Sequence, residues 1–264
     1  MKKALGGVYM ALVFIFLYFP IAIMLFFSFN SNSKTITVFE SFTLDNYKSL
    51  FDNDQLMEAL MNTLIIAVLS SVCACILGTV GAIAVYNMKG AKKKLYSNVS
   101  NLPIINPEIV TGVSLMLLFV FIVGDGLGMF TVLLAHIVFN TPYVLLNVLP
   151  RLRKMNMNMY EAALDLGCRP AGAFFKVVLP EIFPGIFAGF LIAFTYSVDD
   201  FIISYFTGGT FQTLSVFINN SLKKGVKPWM LSMSGLIFVA VLLILVVMNI
   251  RDARAEKAKA RLKL

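Results

Sequence analysis

Apolar residues gather into six long runs, near positions 7–29, 60–86, 101–123, 129–149, 182–206 and 231–250, separated by shorter polar stretches. Each run approaches the roughly 20 residues that a helix needs to cross about 30 Å of hydrocarbon. The pattern therefore predicts six spanning helices. Lys2 and Lys3 ahead of the first run imitate a signal peptide, but the run exceeds the roughly 7–15 residues of a signal core and its polar exit at Ser28–Asn32 lacks a small-residue cleavage site. It is read as an anchor helix. Composition agrees with an all-α membrane protein: the 264 residues are 59% hydrophobic and 14% charged, against roughly 25% charged in a soluble domain.

The placement of basic residues predicts orientation. With the N-terminus in the cytoplasm, all of the 22 Lys and Arg except Lys34, Lys48, Lys223, Lys224 and Lys227 fall inside. That bias places both termini in the cytoplasm. The net charge of +8 follows the loops in the same way and does not form a nucleic-acid-binding face. Cys73 and Cys75, two apart on one helix, and Cys168 in a loop suggest neither a disulfide nor a metal site.

The polar stretches differ in kind. GDGLG at 124–128 reads as a tight external hairpin that makes the third and fourth helices antiparallel neighbours. Residues 30–59 form an acidic external segment, and about 207–230 a second external loop. The stretch from about 150 to 180 is polar and basic yet helically patterned, so something folded is expected on the cytoplasmic face. There is no repeat and no second domain: residues 1–264 read as one transmembrane domain.

Within that stretch stands EAALDLGCRPAGAFFKVVLP, from Glu161 to Pro180. Small residues let a partner approach a short helix closely, Gly167 suits the C-cap that ends it, Pro170 can open a second helix, and Pro180 marks the start of the fifth span. Glu161, Ala162, Ala163 and Gly167, followed nine residues later by Val177-Val178-Leu179-Pro180, resemble the EAA signature E-A-A-x-x-x-G-x9-I-x-L-P of ABC importer permeases, with Val177 in place of Ile. YFPIAIMLFFSFN at Tyr18–Asn30, FTLDNYKSLF at Phe42–Phe51, NTLIIAV at Asn62–Val68, NPEIVTGVSLMLLF at Asn106–Phe119, AHIVFNTPYV at Ala135–Val144 and SVDDFIISYF at Ser197–Phe206 extend the resemblance over nearly the whole chain, to the spermidine/putrescine permeases of the PotC type.

The resemblance implies a type I ABC importer permease fold. It also implies a PotA-type ATPase dimer, a homologous PotB-type permease and a PotD-type extracytoplasmic binding protein as partners. Glu161, Ala162, Ala163 and Gly167 would dock on the ATPase and couple its closure to the helices. The chain has no G-x-x-x-x-G-K-[ST] loop, so ATP and Mg2+ are expected on that partner, with no cofactor and no catalysis here.

Asp199 and Asp200 stand side by side in the fifth apolar run, where each carboxylate costs roughly 2.5–3.5 kcal/mol at the bilayer centre. On an unbroken helix Tyr196, Asp199, Asp200 and Ser204 would share one face, as a cavity-lining helix requires. Glu108, nearer the cytoplasmic start of the third span, could mark a second depth on the same route. A polyamine asks for spaced carboxylates with aromatic faces between them, worth about 0.5–2 kcal/mol per cation. Glu108, Asp199, Asp200 and Tyr196, with Tyr18 beside Pro20, are the candidate substrate-path residues. His136, the sole histidine, reads as a hydrogen-bonded packing residue ahead of a proton relay.

The leading expectation is the permease subunit of an ATP-driven polyamine importer. The same machinery for an organic cation or ferric ion, or a stand-alone secondary carrier using the acids as ion sites, remains open at this point. A membrane enzyme would need a nucleophile with its base, or a metal cluster, and one histidine with scattered cysteines supplies neither.

Overall fold

A computed structural model describes residues 2–31, 38–91, 96, 106–239, 242, 243 and 246. The expected start of the third span at 101, the far end of the sixth, and the charges at Lys34, Lys92, Lys93, Lys94 and from Arg251 to Lys263 lie outside them. Among the described residues all regular structure is helical, and a single antiparallel bridge joins Asn30 to Phe42. The helices are α1 (Lys2–Ser28), α2 (Asp45–Phe51), α3 (Asp54–Asn87), α4 (Glu108–Val123), α5 (Met129–Lys154), α6 (Met157–Asp165), α7 (Pro170–Ala173), α8 (Leu179–Asp199), α9 (Ile202–Thr207), α10 (Leu214–Leu222) and α11 (Pro228–Val239).

Among the described residues four segments are long and apolar enough to cross a membrane: Tyr9–Ser28, Asp54–Asn87, Met129–Lys154 and Pro170–Asp199. The described parts of the helices at the expected third and sixth spans, α4 and α11, are apolar but shorter. The second span, α3, begins at Asp54, ahead of the apolar run, because Asn53 Oδ1 accepts the Leu56 N–H at 3.1 Å and caps its first turn. The expected fifth span, 182–206, is not one helix. It starts earlier, through α7 and a five-residue π-helical turn (Phe174–Val178), and it ends at Asp199.

The chain divides into two compact units. In the unit made of residues 1–57 and 218–264, the Ser28 and Tyr47 hydroxyls lie 2.7 Å apart and Ser232 donates to the Ser28 carbonyl at 3.1 Å, tying α1, α2 and α11 together. Tyr18 belongs here; it is exposed and stacks on Phe14 at 6.1 Å.

The unit of residues 58–217 is built around α5. Val144 is fully buried between two glycines: a Cβ on Gly78 of α3 would lie 2.7 Å from its Cβ, and one on Gly189 of α8 would lie 3.0 Å from its Cα. Small residues at these crossings let the helix backbones approach, as membrane bundles require when there is no water to drive them together. Val148, Leu149, Leu152, Ile182 and Ala193 fill the rest of this core. The five-residue turn between α4 and α5 is present, with Gly124 at φ +61°, yet those helices touch only sparingly. α4 and α5 share a small core of Phe119, Ala135 and Phe139, while α4 packs mainly on α9, where Gly112 faces Ile202 and Phe206, and α5 packs mainly on α8.

Candidate functional site: a buried helix break beside an exposed aromatic face

Asp199 is the last residue of α8, and at Asp200 the backbone turns extended, with φ −63° and ψ 126°. The Asp200 carboxylate then accepts the N–H groups of Ile203 at 3.2 Å and Ser204 at 2.8 Å, satisfying two of the free donors at the start of α9. His136 Nε2 lies 3.3 Å from the same carboxylate and 3.0 Å from the Ser204 hydroxyl. Its Nδ1 lies 2.6 Å from the Ser197 hydroxyl, itself 3.1 Å from that of Ser70.

The side chains of His136 and Asp200 are 1% and 5% exposed. An ionised carboxylate only accepts hydrogen bonds, so Nε2 must carry a proton to satisfy it, and Nδ1 is then free to accept from Ser197. A buried carboxylate is tolerable only with this many partners. The break thus joins α3, α5, α8 and α9 through one polar chain.

The two acids therefore part company. Asp199 is exposed, and the single face expected for Tyr196, Asp199, Asp200 and Ser204 does not exist: Tyr196 and Asp199 point outward, Asp200 and Ser204 inward. One turn before Asp199, the Tyr196 ring lies 4.7 Å from that of Tyr143 and 6.1 Å from that of Phe139. Glu108 is exposed at the start of α4. Tyr143, the partner of Tyr196, is a residue that sequence reasoning missed. Tyr143 could have been found from the spacing His136, Phe139, Asn140, Tyr143, which is one helical face of α5.

The motif segment is built from local signals. Asn156 Oδ1 accepts the Asn158 N–H at 3.1 Å and opens α6. At its end Gly167 takes φ +88°, its N–H bonds the Leu164 carbonyl at 2.9 Å, and the Cys168 N–H bonds that of Ala163 at 3.0 Å, which is a Schellman motif. Pro170 then occupies the first turn of α7, and Pro180 that of α8. Glu161, Ala162 and Gly167 are exposed and Ala163 half-buried. The other side of α6, through Met157 and Tyr160, faces a recess of about 180 Å3 shared with Ile83, Tyr86, Leu152 and Phe174.

Residues 74–258 match the family described as the binding-protein-dependent transport system inner membrane component. The chain belongs to that family. It is 36% identical over 263 residues to the putrescine transport system permease protein PotI of Escherichia coli K12, covering 96% of this chain and 92% of that one. It is 32% identical over 245 residues to the spermidine/putrescine transport system permease protein PotC of the same strain, covering 92% of each. Among solved structures it resembles a chain of a bacterial ABC transporter involved in the import of the acidic polysaccharide alginate, with TM-score 0.69, 12% identity and 95% of each chain covered. It also resembles a chain of the inward-facing MetNI methionine ABC transporter, with TM-score 0.57, 20% identity, and 77% of this chain and 98% of that one covered. This permease is thus a multi-pass inner-membrane transport subunit with the fold of ABC importer membrane subunits, and not a catalytic enzyme. Its family works with a substrate-binding protein.

Proposed function

We propose that this permease forms half of the translocation path of an ATP-driven importer of polyamines such as putrescine and spermidine. It crosses the membrane six times with both termini in the cytoplasm, beside a homologous PotB-type permease. A PotD-type protein delivers substrate, and a PotA-type ATPase dimer, which holds the ATP and Mg2+, docks at the segment of about 150–180 through Glu161, Ala162, Ala163 and Gly167. Residues 207–230 face outside, and the chain itself acts as one permease domain without a cofactor.

The observation that carries the substrate class is the exposed carboxylate of Asp199 one turn from the paired rings of Tyr196 and Tyr143, with Glu108 exposed at the start of α4. A chain of methylenes with ammonium groups at its ends is matched by carboxylates and π-faces together. Tyr18 and Asp200 complete the path residues expected from the sequence, Asp200 from its buried position. A ferric ion would instead favour clustered oxygen ligands, and among the described residues no group of three or more acidic, His or Cys side chains could hold a metal ion.

Radiolabelled putrescine and spermidine uptake in cells expressing the complete transporter tests the reading. Glu108→Gln, Asp199→Asn and Tyr196→Ala at equal membrane abundance should each reduce uptake at limiting substrate. Undiminished uptake by all three, singly and combined, would remove the cationic-substrate assignment.

A further inference from the structure

Between Ser197 and Thr207 the chain contains neither proline nor glycine, and the one local stop signal is Asp200 itself, whose carboxylate accepts the Ile203 and Ser204 N–H groups. A continuous helix through Asp200 would set the two carboxylates about 100° apart on one surface. The break is also fastened from outside the segment. His136, on α5, reaches Ser197 on the α8 side with Nδ1 and Asp200 and Ser204 on the α9 side with Nε2, so one imidazole holds both ends of the interruption. Asp200, drawn inward, caps α9. Asp199, the next residue back, is left exposed in the same turn as Tyr196.

We infer that His136, acting through Asp200, is a positioning residue for transport: it fixes the helix break that presents Asp199 and Tyr196 to the cationic substrate. The inference rests on the polyamine reading for the identity of the substrate, but not for the geometry. Replacing His136 by an apolar side chain removes the clamp. The last turn of α8 can then extend through Asp200, which rotates Asp200 out of its pocket and changes how Asp199 and Tyr196 meet an ammonium group. His136→Gln keeps an amide donor near the Nε2 position and so preserves part of the clamp, whereas Asp200→Asn replaces one accepting oxygen by an N–H donor, cannot accept from both α9 amides and His136, and so breaks it.

The test uses the assembled transporter with its ATPase in membrane vesicles, measuring KM and Vmax for putrescine and spermidine. His136→Leu should raise KM by about tenfold or more, as displaced binding groups do, while His136→Gln stays near wild type. Asp199→Asn should raise KM in the wild-type background but add nothing in the His136→Leu background, since a mispositioned carboxylate has little left to lose. A merely structural histidine would lower Vmax through abundance and leave the Asp199→Asn effect intact, and that additive result overturns the inference. If His136→Leu does not reach the membrane, Asp200→Asn takes its place in the cycle with the same expectation.

A second measurement does not depend on the substrate. In a variant lacking Cys73, Cys75 and Cys168, the rate at which Asp199→Cys reacts with a cationic thiol reagent should change about tenfold on His136→Leu or Asp200→Asn and little on His136→Gln. Altered reactivity without polyamine uptake by the wild type would sink the substrate reading and keep the positioning role. Normal polyamine uptake with unaltered reactivity would do the reverse.

Discussion

The break at Asp200 and the segment from Asn156 to Pro180 both interrupt long helices, and they are built in opposite ways. The Asn156–Pro180 segment carries its own instructions: an asparagine cap, a glycine at φ +88° and two prolines, all within a few residues of the turns they shape. The break at Asp200 has one local cap, the Asp200 carboxylate on the Ile203 and Ser204 amides, and otherwise depends on a histidine whose Ser197 partner is 61 residues away. A locally encoded interruption can lie exposed and change partners while keeping its shape. A tertiary one must be buried, and it keeps its shape only while every contributor is in place.

The sharpest way to break this contrast is to strand the buried carboxylate. His136→Leu should destabilise the permease by about 3–5 kcal/mol, the usual result of removing one partner of a buried pair. The thermal midpoint in detergent should fall, and a double variant His136→Leu with Asp200→Leu should recover part of the loss, because no charge is then left unpaired. No recovery would mean that the cap on α9 matters more than the charge pair.

Packing at the neighbouring core gives a smaller effect of the same kind. A Cβ on Gly78 would lie 2.7 Å from Val144 Cβ and 2.9 Å from the Thr141 carbonyl oxygen, so Gly78→Ala must push α3 away from α5. Overpacking of this sort costs about 1–3 kcal/mol. It should appear as a lowered thermal midpoint, with the Asn156–Pro180 segment unaffected.

What could be read from the sequence follows the same division. Four of the expected spans coincide with long apolar helices, because burial in lipid imposes the length and polarity that hydropathy detects. The C-cap at Gly167 and the helix starts at Pro170 and Pro180 were legible because residue type and backbone conformation are coupled there. The helical wheel through Asp199 and Asp200 failed because it assumed an unbroken helix, and in a run without proline or glycine a capping aspartate alone does not announce a break that a distant side chain completes. The pairing of Tyr143 with Tyr196 was hidden for a related reason: it joins α5 to α8, and one sequence without a contact map does not reveal the register of two helices.

Gly167 tests the exposed segment through backbone alone. An added Cβ meets nothing within 4 Å, so Gly167→Ala is penalised only by its φ of +88°, about 1–2 kcal/mol in the left-handed region. That strain falls on the end of α6 and leaves the helix core untouched. Uptake should drop while the thermal midpoint barely moves. Gly167→Asn should lie closer to wild type, since asparagine tolerates this conformation better than alanine does.

Glu161→Lys should have the least effect on the folded chain and still stop transport. The side chain is exposed on a nine-residue helix whose caps lie elsewhere, at Asn156 and Gly167, so the substitution should change stability by no more than about 0.5 kcal/mol. Reversing its charge alters only what a docking ATPase meets, and charge reversal at an interface weakens encounter and register. The expected outcome is wild-type membrane abundance and thermal midpoint, reduced recovery of the ATPase on co-purification, and loss of uptake. His136→Leu should show the opposite pattern: lowered stability, with the ATPase still recovered in proportion to the permease that survives. If Glu161→Lys instead lowers the thermal midpoint as His136→Leu does, the segment is not an autonomous docking element and leans on the same buried contacts as the break. If it keeps both the ATPase and uptake, the coupling role of Glu161 is lost and another exposed part of α6 must carry it.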